Sequence, residues 1–159
     1  MDDSMFDAGQ SGDSGGVPTI CIELRFPLPL QEKAPGTMTK DFPAITKRIS
    51  DDIKKLRKDI PDTLNGFSAL ANAALRGGAL DKKTKELVAL ALGVAAHCDG
   101  CIGFHAETLV KLGASRQEIE EALGMAVYMG GGPALMYAAD AIAAFEQFYE
   151  LANTEAIED

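Results

Sequence analysis

From Asp41 onward the apolar residues fall at helical spacing. Ile45, Ile49, Ile53, Leu56 and Ile60 recur at steps of three and four behind Asp41, a residue suited to capping, and they predict one amphipathic helix that Pro61 ends. Leu64, Phe67, Leu70, Ala71 and Ala74 predict a second, shorter helix closing at Gly77-Gly78. Asp81 is placed to cap a third helix, which is apolar on nearly all sides after Glu86 and is therefore expected in the middle of a core. His97-Cys98-Asp99-Gly100 is read as a turn, and the segment from Cys101 to Leu112 continues as helix to Gly113. Ser115 and Glu118 form a capping box for the next helix, with Ile119, Leu123, Ala126 and Val127 on its apolar side. After the break at Gly130-Gly131-Gly132, the stripe Leu135, Ala139, Ile142, Phe145 and Phe148 predicts a last helix from about Pro133 to Leu151.

The pattern ahead of Asp41 is different. Residues 1–16 are rich in Asp, Gly and Ser, with too little apolar surface to offset the entropy of ordering, and are expected to form a flexible tail. Residues 17–40 hold a β-prone run, Thr19 to Phe26, followed by Pro27, Pro29 and Pro35, and read as an extended N-terminal arm. The organisation is therefore a tail (1–16), an arm (17–40), an all-α domain of five to seven helices (41–151) and a C-terminal tail (152–159).

Composition narrows the functional classes. The chain has 159 residues with 47% apolar and 25% charged side chains, an ordinary balance for one globular domain. No apolar run reaches the roughly 18 residues of a membrane helix. A formal net charge of -9 repels nucleic acid and anionic lipid, and the absence of Trp leaves little material for stacking bases. The acidic start, Met1-Asp2-Asp3, lacks the basic and apolar regions of a secretory signal, so a cytoplasmic location is expected.

Three cysteines cannot all pair, and two of them, Cys98 and Cys101, lie three positions apart. On a helix of about 100° per residue these two are about 60° apart, and His105 lies one turn beyond Cys101 on nearly the same face. An imidazole can generate the thiolate that an ordinary thiol yields only sparingly at neutral pH. A second thiol nearby can trap a sulfenic acid as a disulfide before overoxidation. Glu86 would lie about 18 Å from Cys98 in one unbroken helix. It faces His105 only if the chain turns back near residues 97–98. An axial mismatch of about 6 Å then remains for helix crossing, long side chains or a bridging water to close. A zinc site built from Cys98, Cys101, His105 and either His97 or Glu86 is a rival reading, although structural zinc usually gathers two separated ligand pairs. A c-type haem is excluded because residue 102 is Ile.

The stretch Gly78 to Ala91 followed by His97-Cys98-Asp99-Gly100-Cys101-Ile102-Gly103-Phe104-His105 resembles the alkyl hydroperoxidase D-like branch of the carboxymuconolactone decarboxylase family, whose motif is Glu-x11-Cys-x-x-Cys-x3-His. Met129 to Ala138 is similar to the glycine-rich turn and last helix of small members, and the resemblance spans about residues 40–150. It implies a compact all-helical oligomer, often a trimer or hexamer, that reduces organic or hydrogen peroxides with electrons from a thiol or dithiol donor protein. It further implies that Cys101 is the peroxidatic thiol, Cys98 the resolving one, and His105 with Glu86 a proton relay, with no cofactor and no metal. Asp99 and Gly100 depart from the pair found between the cysteines of the best-known peroxidases. A carboxylate beside Cys98 disfavours its thiolate. Two alternatives stay open: a non-peroxidatic redox sensor or partner-binding member of the family, and decarboxylation or lactone chemistry like that of the family's namesake, which does not depend on the cysteine pair. Cys21 reads as a plain residue of the arm, and His97 receives no role.

Overall fold

The computed structural model describes residues 40–158, with side chains up to Thr154. The tail, Cys21 and the arm up to residue 39 lie outside the described residues. Five α-helices follow in order: α1 (Phe42–Asp59), α2 (Pro61–Leu75), α3 (Lys82–Ala95), α4 (Asp99–Lys111) and α5 (Arg116–Glu158). The all-α expectation holds, and the last helix continues past Leu151 to Glu158.

The boundaries have local causes. Asp41 caps α1 by accepting the Ala44 amide N–H at 3.0 Å, and Asp81 caps α3 by accepting that of Thr84 at 2.7 Å. Pro61 begins α2, where its missing N–H costs nothing. The ammonium of Lys85 donates to the carbonyls of Ala74 and Arg76 at 2.9 and 2.6 Å, satisfying the open end of α2. The Ser115–Glu118 capping box forms in both directions, Ser115 N–H to the Glu118 carboxylate at 2.8 Å and Glu118 N–H to Ser115 Oγ at 3.2 Å. Lys83 also reaches Glu118 at 2.7 Å. That pairing, followed by the Ser115 amide, holds the Glu118 carboxyl below its ordinary range.

Within α5 the backbone is not helical at Gly131, where φ is 66° and ψ is -153°. That conformation is open to glycine and strained for other residues, and it places Pro133 in the first turn of a fresh helical segment. The glycine-rich stretch is thus a joint between two helical halves.

The core is built where α3 and α4 pack on each other and on α5. Phe42, Leu90, Val94, Ile102, Leu109 and Ile119 are fully buried. Burying each such side chain contributes roughly 1.5–3 kcal/mol. The second half of α5 presents Ala134, Ala138, Ala141 and Ala144 inward, so the helices meet over small residues. Helix α1 engages this core through its first turns. Phe42 and Thr46 are buried, whereas Ile53, Leu56 and Ile60 in the later turns of α1 stay partly exposed. The central helix α3 also buries less than its composition suggests. Leu90 is enclosed, but Val88 and Leu92 face outward because α4 and α5 cover one side only. None of the α2 side chains is buried, and Phe67 and Leu70 are 67% and 65% exposed.

A side chain at Gly103 has no room: a Cβ there would stand 2.5 Å from Thr46 Cγ2 and 3.5 Å from Phe42 Cδ1. Gly103→Val is expected to cost about 1–3 kcal/mol, lowering the melting temperature by roughly 2–12 °C. Gly124→Ala, with nothing within 4 Å of the added carbon, should match or exceed the parent in the same melt.

Candidate functional site

The site forms where α3 ends and α4 begins. Helix α3 stops at Ala95, and residues 96–98 reverse the chain, with the Cys98 amide N–H donating to the Gly93 carbonyl at 3.0 Å. His97 takes a left-handed conformation with φ of 55°, tolerated here inside a tight reversal. Its ring stacks on Tyr137 of α5, with centroids 4.6 Å apart and planes 14° from parallel. The turn therefore lies at the place the motif geometry required.

Cys98 caps α4. The Cys101 amide N–H donates to Cys98 Sγ at 3.2 Å, so the sulfur sits at the positive end of the helix. Cys98 and Cys101 are joined sulfur to sulfur, with Cα atoms 5.3 Å apart. That separation is inside the usual disulfide range of about 4.4–6.8 Å. Gly93 makes the approach of the two helices possible, since a Cβ at that position would stand 3.2 Å from Cys101 Cβ.

Below the sulfurs, Glu86 of α3 meets His105 of α4. Glu86 Oε2 lies 2.7 Å from His105 Nδ1, and the two side chains are 3% and 28% exposed. No bridging water is needed, because the side chains themselves close the axial gap left by helical rise. A buried carboxylate needs a partner, and this one has it. When the carboxylate accepts the Nδ1–H, the tautomer is fixed and Nε2 is left as the acceptor nitrogen of the ring.

All four residues singled out from the sequence, Glu86, Cys98, Cys101 and His105, thus belong to one helical hairpin. A second group beside Cys98 was not visible in the motif. Lys40, just ahead of α1, donates to Asp99 Oδ1 at 2.7 Å and to Asp140 Oδ2 at 2.8 Å, with its ammonium 4.7 Å from the centre of the Tyr137 ring. These contacts join positions 59 and 100 residues apart in sequence, a separation that no local pattern reveals. Among the described residues, no group of three or more His, Cys, Asp or Glu side chains is placed to hold a metal ion. No helix among them is long and apolar enough to cross a membrane.

Comparison with known proteins identifies the family and the fold. The model of the carboxymuconolactone decarboxylase family matches residues 61–144. An uncharacterised protein of Cupriavidus necator is 35% identical over 109 residues, covering 69% of this chain and 96% of its own length. The crystal structure of the apo form of a carboxymuconolactone decarboxylase family protein from Legionella pneumophila superposes with a TM-score of 0.67 at 63% identity, covering 68% of this chain and 96% of that one. A Thermotoga maritima member of the same family, for which a part in antioxidative response has been suggested, gives a TM-score of 0.61 at 31% identity, over 68% of this chain and 95% of that one.

Treatment of the reduced protein with one equivalent of hydroperoxide is expected to remove two of its three thiols, with peptide mapping assigning the new disulfide to Cys98 and Cys101. Either single Cys→Ser replacement at these positions should abolish that linkage.

Proposed function

Because the chain belongs to the carboxymuconolactone decarboxylase family, we propose that it acts as an alkyl hydroperoxidase D-like thiol peroxidase, reducing organic or hydrogen peroxides through the Cys98–Cys101 couple. The observation that carries this reading is the Glu86–His105 hydrogen bond on the same helical hairpin as two sulfurs placed to bond. Acid, base and dithiol are the parts that two-electron peroxide reduction requires.

In the proposed cycle His105, oriented by Glu86, accepts the Cys101 thiol proton. The thiolate attacks one peroxide oxygen, the O–O bond breaks, and the proton passes to the departing alkoxide, giving an alcohol and a Cys101 sulfenic acid. Cys98 then attacks that sulfur, water leaves, and the disulfide forms. A thiol or dithiol donor protein returns two electrons and two protons. One peroxide and two thiols give one alcohol, one water and one disulfide. At the helix N-terminus a Cys98 thiolate is supported by the Cys101 N–H, which suits the sulfur that the donor attacks and releases.

The reading also takes the working unit to be a homo-oligomer, a trimer or a hexamer. Its support is the apolar surface left uncovered on one chain: Phe67 and Leu70 on α2, Leu92 on α3, and Tyr128 and Met129 on α5. Apolar surface spread over several helices commonly meets another copy.

Stopped-flow kinetics with an alkyl hydroperoxide tests the chemistry. Cys101→Ser should eliminate peroxide consumption, and consumption at the parent rate would end the proposal. His105→Gln should slow thiol oxidation by about 10²–10⁴-fold, the usual contribution of a positioned base. Glu86→Gln, which keeps an acceptor but loses the charge, should slow it less. Light scattering should give a mass several times the 16.8 kDa of one chain, and a monomer would count against the assembly.

A further inference from the structure

The lysine beside the cysteine turn has more order than a surface ion pair needs. Its main chain is held by Gln147 of α5, whose Nε2 donates to the Lys40 carbonyl at 2.9 Å and whose Oε1 accepts the Phe42 N–H at 2.9 Å. Phe42 itself is fully buried. The side chain is then gripped by two carboxylates, one from α4 and one from α5, next to the Tyr137 ring. Backbone and ammonium are both fixed, so the charge stays at one place.

That place matters because Asp99 immediately follows Cys98. A carboxylate there repels a developing thiolate and favours the neutral thiol. The charged groups around the turn are Lys40 from ahead of α1, Asp99 from α4 and Asp140 from α5. His97 and Tyr137 stack at its edge, and His105 with its Glu86 partner lies one turn along α4 from Cys101. Lys40 is the one cation among them that does not depend on protonating an imidazole. Partial desolvation pulls its pKa down, but the hydrogen bonds to Asp140 and Asp99 outweigh this and leave it above the ordinary lysine value, so the ammonium persists throughout the working range of a thiol.

We propose that Lys40 is a positioning residue for the dithiol: by holding and neutralising Asp99 it keeps Cys98 able to ionise, and so sets the reduction potential of the Cys98–Cys101 disulfide. The inference rests on the reading of this pair as a reversible couple. Reduction by glutathione converts one protein disulfide and two glutathione thiols into one protein dithiol and one glutathione disulfide, a two-electron, two-proton exchange. A stabilised Cys98 thiolate favours the reduced protein. Without the lysine cation, the unopposed Asp99 carboxylate shifts the balance toward the disulfide.

The test is equilibration of the full chain in glutathione buffers, with the thiolate of Cys98 followed by its ultraviolet absorbance in a pH titration. Lys40→Met should raise the Cys98 pKa and favour the disulfide by about three- to tenfold, tenfold corresponding to about 30 mV for two electrons. Lys40→Arg should restore the parent values, since it keeps the charge and the reach. In the Asp99→Asn background, Lys40→Met should have less effect, because of the two carboxylates that the lysine holds, the one adjoining Cys98 is gone. An unchanged equilibrium in Lys40→Met, an equal shift in Lys40→Arg, or an undiminished shift in the Asp99→Asn background would each overturn the proposal. If Lys40→Met does not fold, Lys40→Gln takes its place, since it removes the charge but keeps a polar head beside Asp99; the same shift is expected, and an unchanged equilibrium would overturn the assignment. Peroxide consumption is a separate readout. Shifted equilibria without peroxide turnover would keep the tuning and remove the peroxidase reading, and turnover with unshifted equilibria would do the reverse.

Discussion

A carboxylate placed inside a small helical core is the constraint around which this molecule is arranged. Glu86 enters a run of apolar residues on α3, where leaving its oxygens without a partner would cost several kcal/mol. The remedy is His105, delivered from the next helix at 2.7 Å. For that to happen the chain must reverse between residues 95 and 99, and the reversal puts Cys98 at the cap of α4 with Cys101 against Gly93. The chemistry-bearing groups are therefore not independent additions to the fold. One hairpin gives the carboxylate its partner, orients the imidazole and joins the sulfurs.

Much of this was readable in the amino-acid order because the signals are local. Asp41, Asp81 and the Ser115–Glu118 pair cap their helices as short-range chemistry dictates, and Gly131 breaks the last helix where three glycines meet a proline. The Glu-x11-Cys-x-x-Cys-x3-His spacing located the hairpin, since only a turn near residue 97 brings its ends together. What sequence could not supply was long-range. Ile53, Leu56 and Ile60 continue a flawless helical stripe yet remain partly exposed, because the stripe reports an apolar face and not what covers it. Val88 and Leu92 teach the same lesson on α3. Lys40 escaped notice entirely, for its partners Asp99 and Asp140 lie on helices assembled from remote parts of the chain.

The cysteine turn also shows two electrostatic influences acting on neighbouring atoms with opposite sign. The N-terminus of α4 and the Cys101 amide favour negative charge on Cys98 Sγ. Asp99, required at no position by the helix, disfavours it. Lys40 stands between these influences. A motif that specifies only thiols, acid and base leaves this balance unspecified, so family members sharing the four residues can differ in the ease with which their disulfides are reduced.

Helix α5 carries a further consequence. Tyr137 and Asp140 alternate with Ala134, Ala138 and Ala141, so the strip that faces the turn shares its pitch with the strip that fills the interior. Adding or deleting one residue after the Gly131 joint would swing both strips by about 100° at once. Length in that segment is thereby locked twice over, and an evolutionary path that altered it would have to rebuild the hydrophobic contacts and the charge contacts in the same step.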